Sequence, residues 1–162
     1  MSYSKKIFLL VLIPLLCFSC SKNQNTKTVT EATYNRELVV GAKKIFVSVA
    51  DTDEKRQEGL SGQKKLNDEQ GMIFIFNTES HPAFWMIDMK FDLDLIWIDK
   101  NKITGITPNV PKPDACNEDR KTCLRKLPLY YPPSVVDEVL EVNSGWAEKN
   151  NVKVGDEIIL KN

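Results

Sequence analysis

A chain of 162 residues can close one hydrophobic core of good size and is too short for two ordinary domains. Its 42% apolar and 27% charged residues make a globular composition, and 22 basic side chains balance 22 acidic ones. With no positive field to hold it, nucleic acid is not an expected partner.

Residues 1–19 are a different material from the rest. Lys5 and Lys6 precede the apolar run IFLLVLIPLLCF, which gives way to Ser19 and Cys20. This is the anatomy of an export signal. The run is twelve residues long and broken by Pro14, too short for a membrane-spanning helix. Leu16-Cys17-Phe18-Ser19-Cys20 resembles a bacterial lipobox, with Cys17 where Leu is usual. That resemblance implies cleavage after residue 19 and acylation of Cys20 by palmitate-type chains, which hold a domain at a membrane without a spanning segment. A plain secretory signal cleaved near Ser19 is the alternative. Removing residues 1–19 leaves 20 basic against 22 acidic side chains, so the mature surface is close to neutral.

Residues 20–36 are rich in Ser, Thr, Asn, Gln and Lys, lack a period, and read as the lipidated cysteine followed by a flexible tether. One globular domain is expected over 37–162. It keeps two cysteines, Cys116 and Cys123, which in an oxidising compartment are expected to pair across the short loop CNEDRKTC, with two free thiols the alternative.

Along the domain, ELVV and KIFVSVA flank GAK and predict a hairpin turning at Gly41. Thr52, followed by Asp53 and Glu54 and stopped by Gly59, predicts a short helix with Arg56 in its middle. GMIFIF, residues 71–76, predicts a strand covered on both faces. FWMIDMKFDLDLIWID then runs from Phe84 to Asp99: odd positions from Trp85 to Trp97 are apolar, and even ones include Asp88, Lys90, Asp92 and Asp94. It exceeds ordinary strand length, so it is split into strands AFWM and LDLIWID around a bend, with Trp85 and Trp97 in the core and the even row as a wet edge beside a cleft. KITGI, SVVDEVLEV and GDEIIL predict further strands, and GWAEKN a helix of about one turn. Residues 108–133 show no periodic element; six prolines and the cysteine pair predict an ordered flap. The expected fold is mainly β, a single-domain β-sandwich or barrel-like unit with two short helices.

These blocks, together with RQEGLSGQKKL and EVLEVNSGWAEKNNVKVGD in the same order, resemble the domain of unknown function family 192 from about Leu38 to Leu160. The resemblance implies a mainly β fold in a small exported or membrane-anchored protein and no particular reaction. It carries over onto residues including Arg56, Trp85, Asp94 and Glu141. Gln63, Ile87 and Asp92 stand where the family usually has Arg, Lys and Pro, which weakens any role that the Arg and Lys play in gripping an anion.

Five residues are candidate ligand contacts: Arg56, Asp88, Asp94, Tyr130 and Tyr131. Arg56 can pair bidentately with Asp88 or Asp94 to brace the helix, or face a cleft and hold an anion. Asp88 and Asp94 are also the candidate acid/base pair, while the absence of a calcium-loop pattern argues against a metal there. Tyr130 and Tyr131, on the flap, are candidates for an exposed aromatic surface. His81 is the sole histidine, and there is no nucleophile elbow, phosphate loop or dinucleotide fingerprint, so no cofactor is expected. The sequence reads as an exported, lipid-anchored bacterial protein facing the periplasm or exterior, binding a small polar, glycan-like or envelope-protein ligand. A carboxylate-dependent hydrolase or lyase acting on an envelope glycan is the alternative. A structural accessory of an envelope complex, docking through the flap, is a third reading.

Overall fold

The computed structural model describes residues 32–161. The signal-like segment 1–19, Cys20 and the tether as far as residue 31 lie outside the described residues. One seven-stranded sheet carries the fold: β1 (Arg36–Val40), β2 (Lys43–Ala50), β3 (Gln70–Ser80), β4 (Leu93–Asp99), β5 (Lys102–Val110), β6 (Val136–Asn143) and β7 (Ile158–Leu160). The spatial order is β5-β4-β6-β3-β2-β1-β7, and β2 beside β3 is the parallel pair. The end strands curl back towards each other. Lys102 bridges Glu157, and Ile158 N donates to Asn101 O at 2.8 Å. The result is a curled half-barrel, mainly β.

Three short helices accompany the sheet: α1 (Asp53–Glu58), α2 (Arg120–Arg125) and α3 (Trp146–Lys149). Helix α1 forms for local reasons. Thr52 Oγ1 accepts from Lys55 N at 3.3 Å, two acids fill the first turn, and Gly59 at φ 50° turns the chain out of the helix. Helix α2 lies in the segment where no periodic element is expected, and it buries no residue, so it has no apolar period to read. Asp119 caps it, accepting from Thr122 N at 3.2 Å, and a Cys116–Cys123 disulfide closes the loop around it.

The sheet is covered on both faces. Inside the curl, Ile73, Ile96, Ile98, Leu140 and Val142 pack with residues of β1, β2, β5 and β7, and Trp146 and Ala147 of α3 fill the end. On the other face Met72, Phe74, Leu95, Trp97 and Val139 lie beneath a cover made by Leu60, Leu66, Phe84, Met86, Met89 and Tyr130. Strand β3 feeds both cores, Ile73 to one and Met72 and Phe74 to the other.

The long alternating stretch departs from its expected form. LDLIWID is β4, but AFWM is no strand; its single ladder contact is an isolated bridge between Phe84 and Tyr130. Pro82 cannot donate to a ladder, and Asp88 at φ 56° breaks the extended chain. Alternation therefore loses its meaning before β4, and Trp85, expected in the core, is 42% exposed. Asp94, expected in a wet row, is fully buried because both faces of β4 are covered. Trp97 is core, with Nε1 donating to Thr107 Oγ1 at 2.9 Å.

Candidate functional site

The outer face of the sheet has one conspicuous polar intruder. Glu141 of β6 lies in register between Met72 of β3 and Leu95 of β4, flanked on both sides by apolar side chains. It is 5% exposed, and no hydrogen bond or ion pair within the described residues reaches its carboxyl. Burial without a compensating donor or cation pushes this acid up to about 8, so at neutral pH the group is mostly the uncharged carboxylic acid.

Glu141 is not sealed in. It lines a pocket of about 190 Å³ between α1, the turn that follows it, and the cover segment. The walls carry Phe74, Phe76, Phe84 and Trp85, with Leu60 and Met89 adding aliphatic surface. Phe84 is fixed by edge-to-face contacts to Phe74 at 5.0 Å and Trp97 at 5.6 Å between ring centroids. Trp85 is the exposed ring of the set. Gly59 allows the turn to close on this wall: a Cβ there would stand 3.4 Å from the Phe74 ring, on a left-handed backbone that side chains rarely adopt.

Arg56 projects from α1 to the rim. Its Nη1 donates to Ile75 O at 2.6 Å, its Nη2 to Asp53 Oδ1 at 2.5 Å, and the guanidinium lies 5.4 Å over the Phe76 ring. Its partner is thus Asp53 of the same helix, neither Asp88 nor Asp94. Ser61 Oγ gives its hydrogen to Ile87 O at 2.8 Å and keeps its lone pairs free to accept.

The other candidates lie elsewhere. The Asp88 carboxylate meets Arg120 of α2 at 3.0 Å, tying the flap to the cover segment. Asp94 faces the inside of the curl, where Oδ1 accepts from Asn109 N at 2.9 Å and Gly145 N at 3.0 Å and Oδ2 from Ala147 N at 3.0 Å. It pins β5 and the start of α3 to β4. The structure thus gives these two acids separate partners and separate tasks. Tyr130 is half-buried in the outer core opposite Phe84, while Tyr131 is exposed and stacked on His81. Among the described residues no group of three or more His, Cys, Asp or Glu is placed to hold a metal ion.

A wider cavity of about 580 Å³ lies under the flap, between Met86, Tyr130 and the disulfide. Its charged lining is already engaged in part, since Lys126 Nζ donates to Glu118 at 2.6 Å, and no buried polar group faces it. The smaller pocket has the chemistry.

Of the five residues named from sequence, Arg56 alone lines that pocket, and Glu141, its buried acid, was not among them. The available signal was an acid set between Leu140 and Val142 in the apolar half of β6.

Two solved structures share the architecture. One is a protein from Sinorhizobium meliloti 1021 described as a candidate transcription regulator, with TM-score 0.66 and 24% identity, covering 81% of this chain and 98% of that one. The other is a protein of unknown function from Novosphingobium aromaticivorans DSM 12444, with TM-score 0.64 and 24% identity, covering 76% of this chain and 83% of that one. At such identities the likeness concerns the fold. Among curated proteins none matches the chain. A family model described as an uncharacterized ACR spans residues 36–160, from the first residue of β1 to the last of β7, and so takes in the half-barrel together with Arg56, Trp85 and Glu141. On that match the chain belongs to the domain of unknown function family 192.

Proposed function

We propose that the protein is a binding module, held at a membrane surface by acylated Cys20, that takes one small ligand in the pocket between α1 and the cover segment. The observation that carries the reading is Glu141: a buried carboxyl with no partner among the described residues, facing a recess walled by aromatic rings. Burying a polar group without a hydrogen bond costs roughly 1–3 kcal/mol on mutational scales, and a ligand that supplies the bond recovers it. Ligand pockets generally pair apolar walls with a few convergent polar groups, and this one has Glu141, Ser61 and Arg56. Its volume is below the usual range for drug-sized ligands and suits a single ring with a polar head. The lipobox-like sequence and the tether supply the membrane half of the reading.

A thermal-shift screen of the purified protein against small cyclic amines, alcohols, acids and monosaccharides tests this. A true ligand at about 100 times its dissociation constant adds roughly 2.7 kcal/mol of stability. That shift should shrink in Trp85→Ala, whose exposed side chain can be removed without opening the core. A shift that survives both Trp85→Ala and Phe76→Ala places the ligand elsewhere and overturns the assignment.

A further inference from the structure

We infer that the ligand carries an ammonium head on a small apolar body, with Glu141 as its counter-ion and the aromatic walls around it. This deepens the pocket reading above and rests on it.

Charge is the first argument. The ionisable side chains lining the pocket are Asp53, Arg56, Glu58 and Glu141. Arg56 is matched by Asp53 and further held by Ile75 O. What remains uncompensated is acidic: Glu58 at the rim and Glu141 within. An anion entering would meet two acids and a guanidinium already engaged; a cation would meet two acids and no unmatched positive charge. Glu141's register neighbours Met72 and Leu95 are uncharged, and Lys64, Lys65, Asp88 and Lys90 of the covering segments are exposed and do not line the pocket.

Hydrogen-bond polarity is the second. Ser61 has given its only hydrogen away, so it offers the pocket lone pairs, and Glu141, once it releases its proton to solvent as a cation enters, offers acceptors alone. An ammonium brings donors and no acceptor, the complement of that set. Phe74, Phe76, Phe84 and Trp85 add a third argument, because the negative faces of aromatic rings attract cations and do so more strongly where water is excluded. Size is the fourth. A volume of about 190 Å³ holds one ring and its head group, and little more.

Entry of the cation involves no covalent step. The ligand keeps its three ammonium hydrogens, Glu141 releases its own proton to solvent, and a buried ion pair forms.

Calorimetric titration of the purified protein with benzylammonium, benzyl alcohol and benzoate tests the inference. Benzylammonium should bind at least about tenfold more tightly than the alcohol. At neutral pH its binding should release a proton, seen as a heat that depends on the buffer's own ionisation. Its affinity should rise about tenfold per pH unit and level off near the Glu141 value of about 8. Glu141→Gln, checked for its fold by circular dichroism, should abolish both the preference and the proton release while still binding the alcohol. Trp85→Ala should weaken both ligands in a protein that keeps Glu141.

Equal affinity for the alcohol without proton release, or preference for benzoate, overturns the ammonium assignment and leaves the pocket reading standing. Failure of all three to bind the folded protein overturns both.

Discussion

Replacing Glu141 with Gln should make the protein more stable, by an amount that grows with pH. The ordinary value of this acid is 4.5 and its folded value is about 8. Between the two, the native chain holds a proton that the unfolded chain has lost. The unfolded state binds fewer protons there, so stability falls as pH rises, by about 1.4 kcal/mol per unit. The loss begins near 4.5, reaches about 3 kcal/mol at neutral pH and levels off above 8 at about 5 kcal/mol. Below 4.5 the native and unfolded forms are both protonated and the penalty vanishes. Gln has nearly the same shape and never ionises, so it should match the wild type at acid pH within about 1 kcal/mol and exceed it increasingly on the alkaline side. Other acids do not confuse the comparison. Hydrogen bonds from Lys161, Lys55 and Thr122 hold Glu37, Asp51 and Asp119 below the usual range, so their contributions are lost on acidification, equally in both proteins. The assay is the urea midpoint of the two proteins from about pH 5 to about pH 9, with the denaturant slope checked for constancy. Parallel curves would refute the reasoning, since they would mean that Glu141 ionises as readily folded as unfolded.

Asp94→Asn should lower stability by about 3 kcal/mol in the same assay: the amide turns a donor towards Asn109, Gly145 or Ala147, which already donate there, and leaves at least one buried N–H without a partner. Gly71→Ala should cost about 1–3 kcal/mol, because a Cβ at that position stands 2.8 Å from the Glu141 carbonyl oxygen and 3.1 Å from Val142 Cγ1, and β3 and β6 must part to admit it. Opening the Cys116–Cys123 loop by Cys116→Ser should remove about 2.5 kcal/mol of loop-closure entropy, read as faster amide exchange in α2 with the sheet little changed. If Cys20 carries the proposed anchor, Cys20→Ser should abolish acyl-chain incorporation, seen by mass spectrometry of the membrane fraction.

What could be read from the sequence was whatever local chemistry decides. Thr52, Asp53, Glu54 and Gly59 specify α1 almost alone, and LDLIWID coincides with β4 because Leu93, Leu95 and Trp97 suit one covered face and the β-branched Ile96 and Ile98 the other. The AFWM stretch fails as a strand for a non-local reason: its neighbour is Tyr130, forty-six residues on, and one bridge does not extend into a ladder. Trp85 is exposed for the same reason, since parity predicts burial only where a ladder exists. Helix α2 left no pattern because it buries nothing. Glu141 is the most instructive case. In a sheet covered on both faces parity separates two cores, not core from water, so the alternation in VDEVLEVN cannot mark an acid as belonging to a pocket.

Asp94 and Glu141 make the point together. They occupy adjacent rungs of the β4–β6 ladder, Asp94 opposite Val142 and Leu95 opposite Glu141, and they point to opposite faces of one sheet. Both are buried acids. Asp94 receives three backbone N–H groups from β5 and from the start of α3, which satisfy both of its oxygens and join three parts of the fold. Glu141 receives no hydrogen bond from the described residues, and burial holds it protonated at a cost comparable to a large share of the roughly 5–15 kcal/mol that stabilises a domain. An acid whose partners are internal is accounted for by the fold. One that faces an open, ring-lined pocket at such a cost is what motivates the proposed ligand, and a pocket whose remaining charge is acidic favours a cation in that place.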